Sequence, residues 1–267
     1  MAVKGLRRYF RLLRHVANPA EYLLHKGDRH SRPLSFTTKP LPIHFRVPAS
    51  LYLLFKEIFM VDVYEMDSLV SQLPAEPVVI DIGANVGFFD VQLLSKINKA
   101  TIYAYEPIPA NVKTFQDILQ QNPRLLPSVQ IFEMAVTGQP TDKLSLFAEG
   151  ADNNQVVASV FAGFNENNTQ RLSVDSITLT EIIRDNKLSA IDLLKLDCEG
   201  SEFDIIYHTD PELLKRIKRM YVEVHNLDDN RNNIDAFNKY VQSLGYTTTY
   251  VPINSFCYAL EAVQQTN

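Results

Sequence analysis

Asp81-Ile-Gly-Ala-Asn-Val-Gly87 follows directly on the apolar run Val78-Val79-Ile80. The run reads as a buried strand, and the two glycines frame a tight loop that turns straight into a helix. Beyond it, Thr101-Ile-Tyr-Ala-Tyr105 reads as a second strand that delivers a carboxylate at its tip, Glu106. Strand, glycine loop, helix, strand and acid in that order make a nucleoside-binding device.

The side chains of the loop narrow the choice of nucleoside. A dinucleotide fingerprint needs three glycines: for the turn, for close approach of the pyrophosphate and for helix packing. Gly83 serves the turn, but Asn85 and Phe88 stand where the second and third would be. Asparagine tolerates left-handed backbone angles, so the loop still closes, while the bulk of both side chains obstructs a pyrophosphate. A Walker-type phosphate loop is excluded because no Lys-Ser/Thr pair follows the last glycine. A smaller nucleoside fits better, and S-adenosylmethionine is such a ligand. Asp81, Gly83 and Asn85 suit its amino-acid end, and Glu106 suits its ribose hydroxyls.

Around this device the chain alternates strand and helix. Strands are expected at 78–82, 101–105, 129–134, 191–196 and 219–224, with helices near 86–96, 109–121, 180–186, 201–207 and 234–244. The last helix carries Ile234, Phe237, Val241 and Leu244 inward, and Gly245 fits its C-terminal cap. Two final strands, 246–251 and 255–261, pair with each other. Such alternation predicts an α/β fold with a mostly parallel sheet, helices on both faces, and an antiparallel edge from the terminal hairpin. The Asn/Gly-rich stretch 138–170, with candidate strands at 143–147 and 156–161, predicts hairpins or an active-site flap. Upstream, residues 1–50 are irregular and proline-punctuated, with a candidate edge strand within 40–47. Residues 50–73 place Leu51, Leu54, Phe55, Ile58 and Phe59 at helical spacing. The organisation expected is one nucleoside-binding domain, 75–267, with an extension, 1–74, that caps it or forms part of the acceptor site.

Composition sets outer bounds. The 46% hydrophobic and 21% charged content is ordinary for a globular chain. A formal net charge of −5 argues against nucleic acid as the main partner. Cys198 and Cys257 are too few for a disulfide framework or zinc cluster, which points to a reducing, cytoplasmic home. No stretch is long and apolar enough to be a transmembrane helix. The segment Lys4 to Arg14, with Arg7, Arg8 and Arg11 among Leu6, Phe10, Leu12 and Leu13, is basic and amphipathic, so peripheral membrane contact is open beside a plainly solvated helix.

Several segments together resemble the FkbM-like family of methyltransferases. They are Glu57-Ile-Phe59 with Tyr64, Val79-Ile-Asp-Ile-Gly-Ala-Asn-Val-Gly87, Tyr105-Glu-Pro107, Ser176-Ile-Thr-Leu179, Leu194-Lys-Leu-Asp-Cys-Glu-Gly-Ser-Glu202 and Glu223-Val-His225. One departure is Thr180, where the family commonly has aspartate; either residue can cap a helix. The resemblance implies a Rossmann-like class I methyltransferase fold with a mostly parallel seven-stranded sheet and one antiparallel edge strand. It also implies S-adenosylmethionine as methyl donor and a hydroxyl of a sugar, glycan or other small molecule as acceptor. The donor contacts expected are Asp81, Gly83, Ala84, Asn85 and Gly87 in the loop, Glu106 and Pro107 after the second strand, Ala135 after the third and Asp197 after the fourth.

Methyl transfer to oxygen needs the acceptor held in line and its proton removed. The catalytic candidates are Asp197, Glu223, His225 and Lys195, at the carboxyl ends of the fourth and fifth strands. His225 has the ordinary pKa best suited to a base near neutrality, and Asp197 can orient or replace it. Lys195, inside an apolar strand, is expected to pair with Asp197, Glu223 or another carboxylate. Glu199 and Glu202 suit a helix N-terminus, and Cys198 reads as a small buried residue. A divalent metal held by Asp197, Glu223 and either Asn226 or His225 would acidify the hydroxyl, but the spacing does not demand one. The acceptor pocket is expected from the N-terminal segment, the 138–170 stretch with Asn153, Asn154, Asn165, Asn167 and Asn168, and the 226–233 loop. A nucleotide-cofactor (NAD-type) oxidoreductase and an inactive S-adenosylmethionine-binding protein are the competing functions. The missing glycines weigh against the first and the intact acids against the second.

Overall fold

The computed structural model of the chain describes residues 6–27, 32–148, 154, 158–161 and 170–265. Leu34–Thr37 (β1) and His44–Val47 (β2) form an antiparallel pair in the N-terminal extension. They are followed by Val78–Ile82 (β3), Thr101–Tyr105 (β4), Val129–Phe132 (β5), Ala135–Thr137 (β6), Lys143–Ala148 (β7) and Gln170–Thr178 (β8). Leu193–Leu196 (β9), Arg219–His225 (β10), Tyr246–Pro252 (β11) and Cys257–Gln264 (β12) complete the strands.

The central sheet has seven strands in the order β11-β12-β10-β9-β3-β4-β5, and β6, β8 and β7 make a separate three-stranded sheet. Strands β10, β9, β3, β4 and β5 are parallel. The strand that runs against them is β12, inserted one place in from the edge between β10 and β11. The chain enters at β3, builds outward to β5, then returns to β9 on the other side of β3. Strand order therefore reverses between β3 and β9, and open α/β sheets bind ligands in the crevice at that point.

Period-two alternation decides which face each residue serves. Val79, Ile102, Ala104 and Leu193 enter one apolar cluster, and their neighbours Ile80, Tyr103, Tyr105 and Leu194 enter the other. The extension packs into the first cluster through an aromatic seam. Phe36 stacks on Phe55 with centroids 4.2 Å apart, Phe45 stacks on Phe59 at 5.1 Å, and Phe45 meets Phe88 edge-on at 5.3 Å. Aromatic pairs at such distances gain attraction beyond area burial. Phe88 is thus a core residue that anchors the helix Phe88–Leu94 to the extension.

Helical character over 50–73 is real but broken. A 3-10 turn, the helix Tyr52–Lys56 and a π turn at Glu57–Val61 end at Asp62, whose φ of 54° is left-handed. The helix resumes at Met66–Ser71. The strand expected within 40–47 is β2, and its partner β1 went unread. β8 is the largest unread element. The helix Leu179–Asp185 begins with a capping box between Thr178 and Glu181, so the cap falls on Thr178 and not on Thr180. Gly245, at φ 93°, follows the helix Ile234–Ser243 as anticipated. No helix among the described residues is long and apolar enough to cross a membrane.

Candidate active site

The loop after β3 is shaped by its neighbours before any ligand is considered. Gly83 and Ala84 both donate their N–H groups to the Tyr105 carbonyl at 3.0 Å, tying the loop to the end of β4. A side chain on Gly83, at φ 80°, would sit 1.7 Å from the Asp197 carbonyl oxygen. Glycine is required there because β3 and β9 close on each other. Asn85 occupies the left-handed region at φ 50°, the conformation its residue type tolerates.

Glu106 closes the loop from the other side. Its Oε2 accepts the Asn85 N–H at 2.9 Å, and its Oε1 accepts the Ile108 N–H at 2.9 Å and an Asn111 amide hydrogen at 3.2 Å. Burial pushes the Glu106 carboxyl up to about 7, against the pull of these donors. The acid at the tip of β4 and the glycine loop are therefore one hydrogen-bonded unit.

Lys195 and Asp81 stand opposite each other in register on β9 and β3. Both are buried, and Lys195 Nζ donates to Asp81 Oδ1 at 2.9 Å and to the Gly83 carbonyl at 2.9 Å. The ammonium, whose pKa is raised by Asp81 against desolvation, is spent on holding the loop. Asp90 lies beside this pair, and burial followed by repulsion from Asp81 pushes its carboxyl well above the ordinary range. A neutral Asp90 can donate to Asp81, whose Oδ2 has no other partner among the described residues.

At the ends of β9 and β10 a second cluster forms. His225 is buried, with Nδ1 3.2 Å from Glu202 Oε1, and Nε2 3.3 Å from Glu199 and 3.6 Å from Glu223. Burial opposes its charge, but the hydrogen bonds with Cys257 and Glu202 and the surrounding carboxylates push its pKa up to about 12. His225 is thus an imidazolium at neutral pH. Glu202 also accepts the N–H groups of Cys198 and Gly200, so it does more than face a helix terminus. Glu223 accepts from the Cys257 thiol at 3.1 Å, and burial, then Asp197, push its carboxyl up to about 7. Asp197 is raised by burial and pulled back by Lys195.

Glu106, Lys195, Asp197, Glu199, Glu223 and His225 line one cavity of about 340 Å³. Of the expected donor contacts, Gly83, Ala84, Asn85, Glu106, Pro107, Ala135 and Asp197 reach it, as do Lys195, Glu223 and His225. Asp81 and Gly87 do not. Asp81 is sealed behind Lys195, and a side chain on Gly87 would strike the Phe115 ring at 2.2 Å. Sequence reading missed Glu57, Tyr64, Asn111, Leu146 and Phe256 on the walls. Glu57 and Tyr64 had a signal, since both lie in segments that carry the family resemblance. Leu144 and Leu146 come from β7, which pairs with β8 as a hairpin over Ile108. Asn154 donates to the Ala110 carbonyl at 2.9 Å; Asn153, Asn165, Asn167, Asn168, Lys4 and residues 156 and 157 of the candidate strand 156–161 lie outside the described residues, and Ser159 of that strand forms an isolated antiparallel bridge with Phe147. Asn226 Oδ1 accepts the Ile234 N–H at 2.8 Å. Among the described residues, Glu223, His225 and Cys257 bring metal-competent donor atoms within 4.8 Å of one another.

Residues 81–248 match the Methyltransferase FkbM domain. The chain belongs to the FkbM methyltransferase family. Among relatives, methyltransferase 1 of Beauveria bassiana is 27% identical over 210 residues, covering 72% of this chain and 79% of its own length. The AMB antimetabolite synthetase AmbE of Pseudomonas aeruginosa is 24% identical over 206 residues, 66% of this chain. The aligned region spans only 10% of AmbE. The METTL16 MTase domain superposes with a TM-score of 0.51 at 11% identity, covering 97% of this chain and 90% of that one. This FkbM-family chain therefore shares the class I methyltransferase fold.

Proposed function

We propose that the protein transfers the methyl group of S-adenosylmethionine to a hydroxyl oxygen of a small molecule or glycan. The observation that carries the reading is the charge of the cavity wall. Glu57, Glu106, Asp197, Glu199 and Glu223 line it, against Lys195 and His225 as cations among the described residues. Lys195 is already committed to Asp81 and Gly83, and His225 sits among three carboxylates. Burial raises the pKa of these carboxyls, but a wall so rich in acceptor oxygens still suits a sulfonium better than a pyrophosphate, which favours the methyl donor over an NAD-type cofactor. Glu106 with Asn85 would hold the ribose, and Pro107, Ala135 and Val136 would flank the base.

S-adenosylmethionine, when bound, supplies an electrophilic methyl group. The chain's own residues have to orient the acceptor and take up its proton. Glu223 faces the cavity as a carboxylate with its pKa at about 7, the group best matched to that task. The His225 imidazolium lowers it and holds it in place. Leu54, Glu57, Ile58 and Tyr64 line the cavity, which supports a role for residues 1–74 in the acceptor wall.

Two measurements test this. Labelled S-adenosylmethionine incubated with extracts of the source cell should yield a labelled ether product; label on nitrogen, carbon or sulfur would exclude the hydroxyl assignment. With that acceptor, kcat/KM reports the free enzyme. A raised carboxyl that must be ionised gives a rate that climbs with pH and levels above about 7. Because His225 lowers the Glu223 pKa, His225→Gln should move the limb to higher pH. A limb that stays put in the variant would remove His225 from that role.

A further inference from the structure

The helix Arg7–His15 has two unlike faces. Leu12 and His15 are buried against the domain, and Tyr9 meets Tyr22 edge-on. On the outer side Leu6, Phe10 and Leu13 follow one another at helical spacing and are 75%, 68% and 46% exposed. Leu24, in the next helix Ala20–His25, is 74% exposed. Single exposed apolar residues are ordinary; a contiguous stripe of large ones marks an interaction surface.

Charge indicates what that surface meets. The helix carries Arg7, Arg8, Arg11 and Arg14 and no acid, in a chain whose formal net charge is −5. Arg11 donates to the Val61 carbonyl and Arg14 pairs with Asp67, which fastens the helix to the domain. Arg7 and Arg8 are exposed beside the apolar stripe. An apolar stripe bordered by arginines is the pattern of a helix lying in a lipid interface, with the rings and leucines among acyl chains and the guanidinium groups at phosphates.

We propose that this helix docks the protein onto the surface of a bilayer containing anionic lipids. A second copy of the chain or a protein partner would cover the leucines equally well, but would not call for exposed arginines bordering the stripe on a helix that carries no acid. The helix packs against Glu57–Val61, the turn that carries Glu57 and Ile58 into the cavity wall. Docking would therefore place a wall of the cavity one element away from the lipid surface. The inference does not depend on methyl transfer, and its test contains no catalytic step.

Flotation of the full chain with vesicles tests it. Vesicles of phosphatidylcholine with about 30% phosphatidylglycerol should carry the protein at least about tenfold better than phosphatidylcholine alone. Raising salt to about 0.5 M should weaken the binding, because the arginine term is screened. Phe10→Glu with Leu13→Glu should abolish flotation while the circular dichroism spectrum and Tm stay unchanged, and Arg7→Glu with Arg8→Glu should weaken it at low salt. Absence of flotation, indifference to lipid charge, or full binding by the Phe10→Glu, Leu13→Glu variant would overturn the proposal. So would dimerisation through the stripe without lipid binding.

Discussion

Lys195→Met should cost the fold about 3–5 kcal/mol, the range for removing one partner of a buried ion pair. The ammonium is 3% exposed and Asp81 is fully buried, so the carboxylate left behind cannot reach water. A neutral Asp90 can offer Asp81 one hydrogen bond but no countercharge. The same ammonium also holds the Gly83 carbonyl, so the glycine loop loosens along with the core. Denaturant unfolding of wild type and variant measures the loss. The double variant Lys195→Met, Asp81→Asn should recover much of it, because the stranded charge is gone. A loss under about 1 kcal/mol in the single variant would mean that the pair is not the clamp described.

Glu223→Gln should lower kcat by about 10²–10⁴, the usual worth of a positioned general base. The amide keeps the shape and still accepts from Cys257, so donor binding should change by less than about threefold. The separation of the two effects is the point. A variant that turns over like wild type removes Glu223 as the base, and one that loses donor affinity and turnover together makes it a binding residue. Asp197 would then be the next candidate, although its position beside Lys195 and against the loop ties it to the donor side.

The loop, Glu106 and the parallel sheet were legible because each is a local pattern. Glycines at φ 80° and 76°, an asparagine at 50° and an acid at a strand tip are written in adjacent residues. The role of His225 was not legible, because its charge comes from residues far apart in the chain. Glu199 and Glu202 reach it from the turn after β9, and Cys257 reaches it from β12, whose pairing places it directly across from His225. No spacing in the sequence announces that register. Lys195 was expected to find a carboxylate, and the parallel register of β3 and β9 decides that it is Asp81. β8 escaped because Arg171, Ser173 and Asp175 alternate with only half-buried apolar residues, and its sheet is separate from the main one. Glu57 and Tyr64 became wall residues only because the aromatic seam docks the extension beside Phe88 and Phe89.

Calorimetric titration of S-adenosylhomocysteine into the wild-type chain and into Glu106→Ala tests the central claim without knowledge of the acceptor. One site per chain is expected in the wild type, with affinity weakened at least about tenfold in the variant and no binding of NAD. Binding of NAD with none of S-adenosylhomocysteine, or equal affinity in both proteins, would contradict it.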